Sequence, residues 1–163
     1  MIFSSRAHRL FILSILAAAF VCTSAQSQTR VPAPEGWIGT AASSGRLAAI
    51  KHPATLGAAE AVLVELSRAE VASYREGLVR RLENAGISVK SQDSTEIGGY
   101  PVLEIRMQSQ LEGRSFEVLL LELPAARGAL YVTAILRPDD ENDLQSLEKG
   151  VLTFAAAALA TQD

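Results

Sequence analysis

The spacing of apolar residues changes several times along this chain, and each change marks an element. Residues 10–21 (LFILSILAAAFV) form an unbroken apolar run of twelve. Residues 26–35 (QSQTRVPAPE) are polar and carry two prolines, which reads as a flexible leader, and Gly36-Trp37 opens the folded part. Residues 46–51 (RLAAIK) suit a short strand, and residues 61–66 (AVLVEL) a better one, with Val62, Val64 and Leu66 on one face. Ser67 then supplies an N-cap with Glu70 three residues later, a capping box. Val71, Tyr74, Leu78, Leu82 and Ala85 recur at helical spacing. Gly86 stands where a helix C′ glycine belongs, and Ile87 is placed to fold back on the last turn.

Beyond that helix the period drops to two. Residues 87–97 predict a strand, Gly98-Gly99 a two-residue hairpin turn, and residues 100–110 its partner strand, with Leu103, Ile105 and Met107 alternating with Glu104, Arg106 and Gln108. Glu112-Gly113 reads as a second tight turn. The strand at 114–123 contains Val118 to Leu121 without a polar break, so it belongs inside a sheet covered on both faces. Residues 129–137 (ALYVTAILR) read the same way. Leu144, Leu147, Val151, Phe154 and Ala158 then mark a closing amphipathic helix that starts near residues 139–143. Four strands joined by short turns make an antiparallel meander, and two helices bracket them in sequence. The expected fold is therefore α+β, an antiparallel sheet between helices in an α/β/α sandwich.

Charge and composition change the picture at the N-terminus first. Arg6, His8 and Arg9 precede the apolar run, which is too short for the ~20 residues of a spanning helix. Thr23-Ser24-Ala25 then offers small residues for signal peptidase. The pattern predicts an export signal over 1–25, cleaved after Ala25, then the leader 26–35 and a single domain over 36–163. Cys22 offers a competing lipoprotein reading, but bulky Val21 precedes it, and the Ala25 site is better formed. Cleavage after Ala25 leaves no cysteine, so no disulfide staples the domain.

The whole chain has a net charge of −3, and loss of Arg6 and Arg9 leaves 13 basic against 18 acidic side chains, a net of −5. An acidic domain without a basic stripe is a poor ligand for nucleic acid, and it lacks the basic amphipathic helix of a membrane-surface protein. One histidine, His52, survives cleavage. A zinc site needs several His or Cys ligands. No GxSxG elbow, P-loop or GxGxxG is present. No cofactor, no nucleic acid and no stable membrane insertion after cleavage are expected.

A few residues are candidates for chemistry or contact. A lone loop histidine such as His52, before Pro53, is more often hydrogen-bonded or solvated than catalytic. Asp139, Asp140, Glu141 and Asp143 are a candidate hard-cation cluster. They lack calcium-loop spacing, and acidic residues favour a helix N-terminus for its dipole alone. Arg75, Arg80 and Arg81 are candidate contacts for an acidic partner, although an i,i+4 Glu76–Arg80 pair also accounts for exposed helix charge. Trp37 is a candidate binding aromatic, with a core position the stronger expectation.

The order of elements resembles the PsbP-like superfamily of small α/β/α sandwiches, which includes the DcrB-like periplasmic proteins. The residues that carry the resemblance are Pro34-Glu35-Gly36-Trp37, the helix from Tyr74-Arg75-Glu76-Gly77-Leu78 to Asn84-Ala85-Gly86, the turn Glu96-Ile97-Gly98-Gly99-Tyr100-Pro101, Leu130-Tyr131-Val132-Thr133, and Phe154 in the last helix. The resemblance implies an accessory or binding role in a larger assembly, without a universal active site to transfer. The expectation is a non-catalytic, periplasmic or secreted interaction module whose partner is a protein of the cell envelope. The alternative is a small-molecule binding module with an apolar pocket between sheet and helices.

Overall fold

A computed structural model describes residues 31–42, 45–55, 57–111, 113–138 and 141–162. The expected signal over 1–25, its Ala25 cleavage site, Cys22, Asp139 and Asp140 lie outside the described residues. Seven strands and two helices follow one another as β1 Ile38–Thr40, β2 Ala48–Lys51, β3 Ala58–Glu65, α1 Arg68–Asn84, β4 Ser88–Ile97, β5 Tyr100–Leu111, β6 Arg114–Ala125, β7 Gly128–Leu136 and α2 Glu141–Ala160. The strands form one sheet in the order β1-β2-β3-β7-β6-β5-β4, antiparallel throughout.

The meander β4 to β7 is as expected, and β7 joins it to β3. Eight register pairs, from Ala58↔Ile135 to Glu65↔Gly128, connect those two strands. Strand β3 starts three residues earlier than its apolar pattern suggested, because Ala58, Ala59 and Glu60 pair with both β2 and β7. Strand β1, three exposed residues long, has no apolar pattern to betray it.

Period two sorts the apolar side chains into two layers, one under each helix. On one face Leu78 and Leu82 of α1 pack with Val62, Val64, Ile105, Met107, Val118, Leu120 and Tyr131. On the other, Leu147, Val151, Phe154 and Ala158 of α2 pack with Ala61, Leu119, Leu121, Leu130 and Val132. The central strand β7 is buried from Ala129 to Ala134. Phe154 is fully buried, and cutting such a side chain back to alanine costs ~3–5 kcal/mol.

The ends of α1 behave as its sequence dictates. Ser67 donates from its backbone N–H (2.9 Å) and from its hydroxyl (2.5 Å) to Glu70 Oε2, closing the capping box. At the other end Gly86 adopts φ 85°, in the left-handed region that glycine enters without cost. Its N–H bonds to Glu83 O and that of Ile87 to Leu82 O, a Schellman closure that delivers Ile87 into the core.

The leader differs from expectation at its end. Val31 is only 9 % exposed and belongs to the cluster beneath α2, so the packed chain begins ahead of Gly36. Trp37 follows it inward, 8 % exposed.

Candidate functional site

An open groove of about 850 Å³ lies where the first turns of α1 meet the β6–β7 corner and the upper ends of β4 and β5. Helix α1 runs away from this quadrant of the sheet and leaves its floor uncovered. The register places Ser94, Leu103, Glu122 and Tyr131 in one row across β4, β5, β6 and β7. Tyr131 ends up beneath Tyr74 of α1, ring centroids 5.3 Å apart, while Leu103 and Glu122 line the groove.

Three polar groups converge at the inner wall. Arg75 Nη1 donates to Glu122 Oε1 at 2.9 Å, and the Tyr131 hydroxyl donates to Glu122 Oε2 at 2.9 Å. The longer contact from Tyr131 to Val71 O, 3.5 Å, is secondary. Burial and the adjacent Glu122 charge push the Tyr131 phenol well above the ordinary tyrosine range. It therefore stays a hydrogen-bond donor, and the trio is a neutral, mutually satisfied set. Arg68 and Arg127 stand exposed on the rim, with Glu65 and Glu70 also in the lining.

A second polar cluster lies on the opposite face, where α2 crosses β5. Arg106 Nε donates to Glu104 Oε1 at 2.5 Å, and its two terminal nitrogens reach both carboxylate oxygens of Glu148. Glu104 is 8 % exposed although the alternation of β5 puts it on the polar face. That face is wet only where α2 leaves it open. Glu117 stands nearby, its carboxyl raised first by burial and then by the Glu148 charge, against the lowering effect of Arg106 and Lys90. For Arg106 burial works against the charge, but Glu148 and Glu104 outweigh it and the guanidinium is held above its usual range.

The residues singled out from the sequence scatter. Trp37 packs edge-to-face on His52, centroids 5.3 Å apart, and is closed off from solvent by Gly150 of α2, so it is not a surface aromatic. The hydroxyl within reach of His52 is that of Thr55, at 3.1 Å, and Thr55 Oγ1 also accepts the Gly57 N–H. These bonds close the loop between β2 and β3. Arg75 is drawn into the groove wall, away from Arg80 and Arg81, which are exposed farther along α1. Among the described residues no ion pair joins Glu76 to Arg80. Glu141 and Asp143 occupy the first turn of α2. Among the described residues, no group of three or more His, Cys, Asp or Glu side chains is placed to hold a metal ion, and no helix is long and apolar enough to cross a membrane.

With this geometry in view, the chain compares with known proteins as follows. No family model and no curated protein matches its sequence. Solved structures do match in fold. LpqN of Mycobacterium tuberculosis, described as involved in cell envelope biogenesis, aligns at 16 % identity over 77 % of this chain and 79 % of its own, with a TM-score of 0.55. A cyanobacterial PsbP from Synechocystis aligns at 14 % identity over 79 % of this chain and 81 % of its own, TM-score 0.48. A Pseudomonas aeruginosa protein of unknown function aligns at 17 % identity over 72 % and 78 %, TM-score 0.47. The chain has a PsbP-like fold. The LpqN alignment carries that statement, and at such identity it speaks for the fold alone.

The groove was not legible beforehand. Its walls come from the β3–α1 connection, the β6–β7 corner and a row across four strands, and only the tertiary fold brings them together. The one local signal was Glu122, an acidic residue on a strand otherwise apolar from Val118 to Leu123.

Proposed function

We propose that this chain is an exported, non-catalytic accessory module that works by contact with a protein of the cell envelope, and that the groove beside α1 is its contact surface. The observation that carries the reading is the character of the groove. It is open and shallow-walled, with Leu103, Pro101, Pro124 and Val71 among its lining and arginines on its rim. The ionisable groups at its wall are tied to one another by hydrogen bonds, which suits a recognition surface better than a reacting centre. The export pattern at the N-terminus supports an envelope location, as does the function printed for LpqN, a chain of similar fold.

The test uses the full chain in its own cells, with a photoreactive residue replacing Ala126 in the groove and, separately, Gln92 on β4. A discrete adduct from position 126, absent from position 92 and lost in Arg68→Glu/Arg127→Glu, supports the reading. No adduct, or the same adducts from both positions, sinks it. Arg80→Glu/Arg81→Glu is the second arm. If it removes the adduct while Arg68→Glu/Arg127→Glu does not, the contact lies on the outer face of α1 instead.

A further inference from the structure

The groove contains an incompletely used arginine. A guanidinium facing a carboxylate commonly donates two parallel N–H bonds. Here the Tyr131 hydroxyl holds Glu122 Oε2, so Arg75 reaches only Oε1, through Nη1. Among the described residues this is the only hydrogen bond Arg75 makes. The rest of its fork is unspent, and its side chain, 24 % exposed, lines the groove. Burial keeps the Tyr131 proton in place, so the arrangement persists across ordinary pH.

The charges around Arg75 point the same way. Of the three carboxylates in the lining, Glu122 is engaged by Arg75 and Tyr131, and Glu70 by Ser67. Arg68 and Arg127 make no ion pair among the described residues and stand exposed at the rim. Between them and β4 lies an apolar floor that includes Leu103 and Pro124.

We infer that the groove takes an acidic peptide segment of the partner, with one carboxylate seated on the free edge of Arg75 and others drawn to Arg68 and Arg127. Apolar side chains of the segment cover Leu103 and Pro124. On a chain whose overall charge is −3, a cationic rim confines the attraction to this one place. Glu65 opposes it, which makes removal of that charge an informative variant. This inference rests on the reading of the groove as a contact surface, and its test can fail separately.

The probe is a capped peptide of alternating glutamate and leucine, titrated into the purified protein at low salt and followed by NMR of the arginine side-chain N–H groups. The control is the same peptide with glutamine in place of glutamate. The expected result is binding about tenfold tighter for the glutamate peptide, the worth of one charge-assisted hydrogen bond, with shifts centred on Arg75. Arg68→Glu/Arg127→Glu loses about that factor, and Glu65→Gln gains affinity. Arg75→Lys keeps the charge but not the fork, and weakens the glutamate peptide while leaving the glutamine peptide unchanged. Equal binding of the two peptides overturns the inference, and so does unchanged glutamate-peptide binding in Arg68→Glu/Arg127→Glu. If position 126 still captures a partner in cells, the contact surface stands and only the acidic occupant falls.

Discussion

Gly150 lies directly against Trp37: a β-carbon built on Gly150 would sit 2.1 Å from the indole Nε1 and 2.8 Å from Cε2. The segment ahead of β1 therefore docks on the middle of α2 through a contact only glycine permits. Gly150 is also a poor helix former, worth ~1 kcal/mol less than alanine in an open helix. Propensity alone thus predicts that Gly150→Ala stabilises the protein, and the contact predicts the reverse.

The expected outcome is that contact wins. Overpacking of this kind costs ~1–3 kcal/mol, so Gly150→Ala lowers the thermal midpoint. Because Trp37 is the sole tryptophan, its fluorescence reports the same event as a red shift and easier quenching by iodide. A higher midpoint with unchanged emission would show that the ring moves aside freely.

Tyr131→Phe removes the hydroxyl that holds Glu122 Oε2. Hydrogen bonds to charged acceptors are worth ~1.5–3 kcal/mol. Arg75 remains to satisfy the carboxylate, so the expected loss in urea unfolding is about 1–2 kcal/mol. The folded phenol ionises above its unfolded range, so its contribution is intact below about pH 10 and is lost as pH rises beyond it. Alkaline titration followed at the tyrosinate band should show one of the three tyrosines ionising only as the protein unfolds.

Glu117 gives the opposite lesson at acidic pH. Its carboxyl is raised in the fold by burial and by Glu148, so the folded state favours the protonated form. That contribution is complete below pH 4.5 and disappears as pH rises through the raised value. Glu117→Gln should therefore raise the thermal midpoint at pH 7 and have little effect at pH 4. Equal effects at both values would mean that the Glu148 and Arg106 charges around it offset one another.

Thr133 sits in the central strand, between Glu60 and Leu120 in register, 5 % exposed. Its hydroxyl finds no hydrogen-bond partner among the described residues. Valine has nearly the same shape without the unsatisfied group, so Thr133→Val should stabilise by about 1 kcal/mol. Denaturant midpoints of the two proteins decide it, and a destabilised valine variant would reveal a bond made by that hydroxyl.

Much of this architecture was readable from local pattern because local chemistry produces it. Ser67, Glu70, Gly86 and Ile87 act within one or two turns of their own helix end. Gly98 and Gly99 take φ 59° and 86°, the paired positive values of a tight hairpin that few other residues tolerate. Leu119 to Leu121 needed cover on both faces and received it from both helices. The unreadable parts depend on partners far along the chain. Period two says which face a strand residue occupies, not which strand lies beside it, so the β3–β7 pairing carried no signal. Glu104 and Arg106 looked wet by alternation, and only the arrival of Glu148 buries them. Arg75, Arg80 and Arg81 read as one patch in sequence, yet Glu122, 47 positions from Arg75, pulls that arginine away.

The place of β7 between β3 and β6 also orders events in time. Strands β4 to β7 pair with immediate neighbours and can zip together as they are made, whereas β3 waits for a strand some seventy residues downstream. A chain halted before Gly128 has its first three strands and α1 complete, but no surface on which to set them. The domain cannot close from its beginning, and the last quarter of the polypeptide has to be present before the first quarter has anywhere to go.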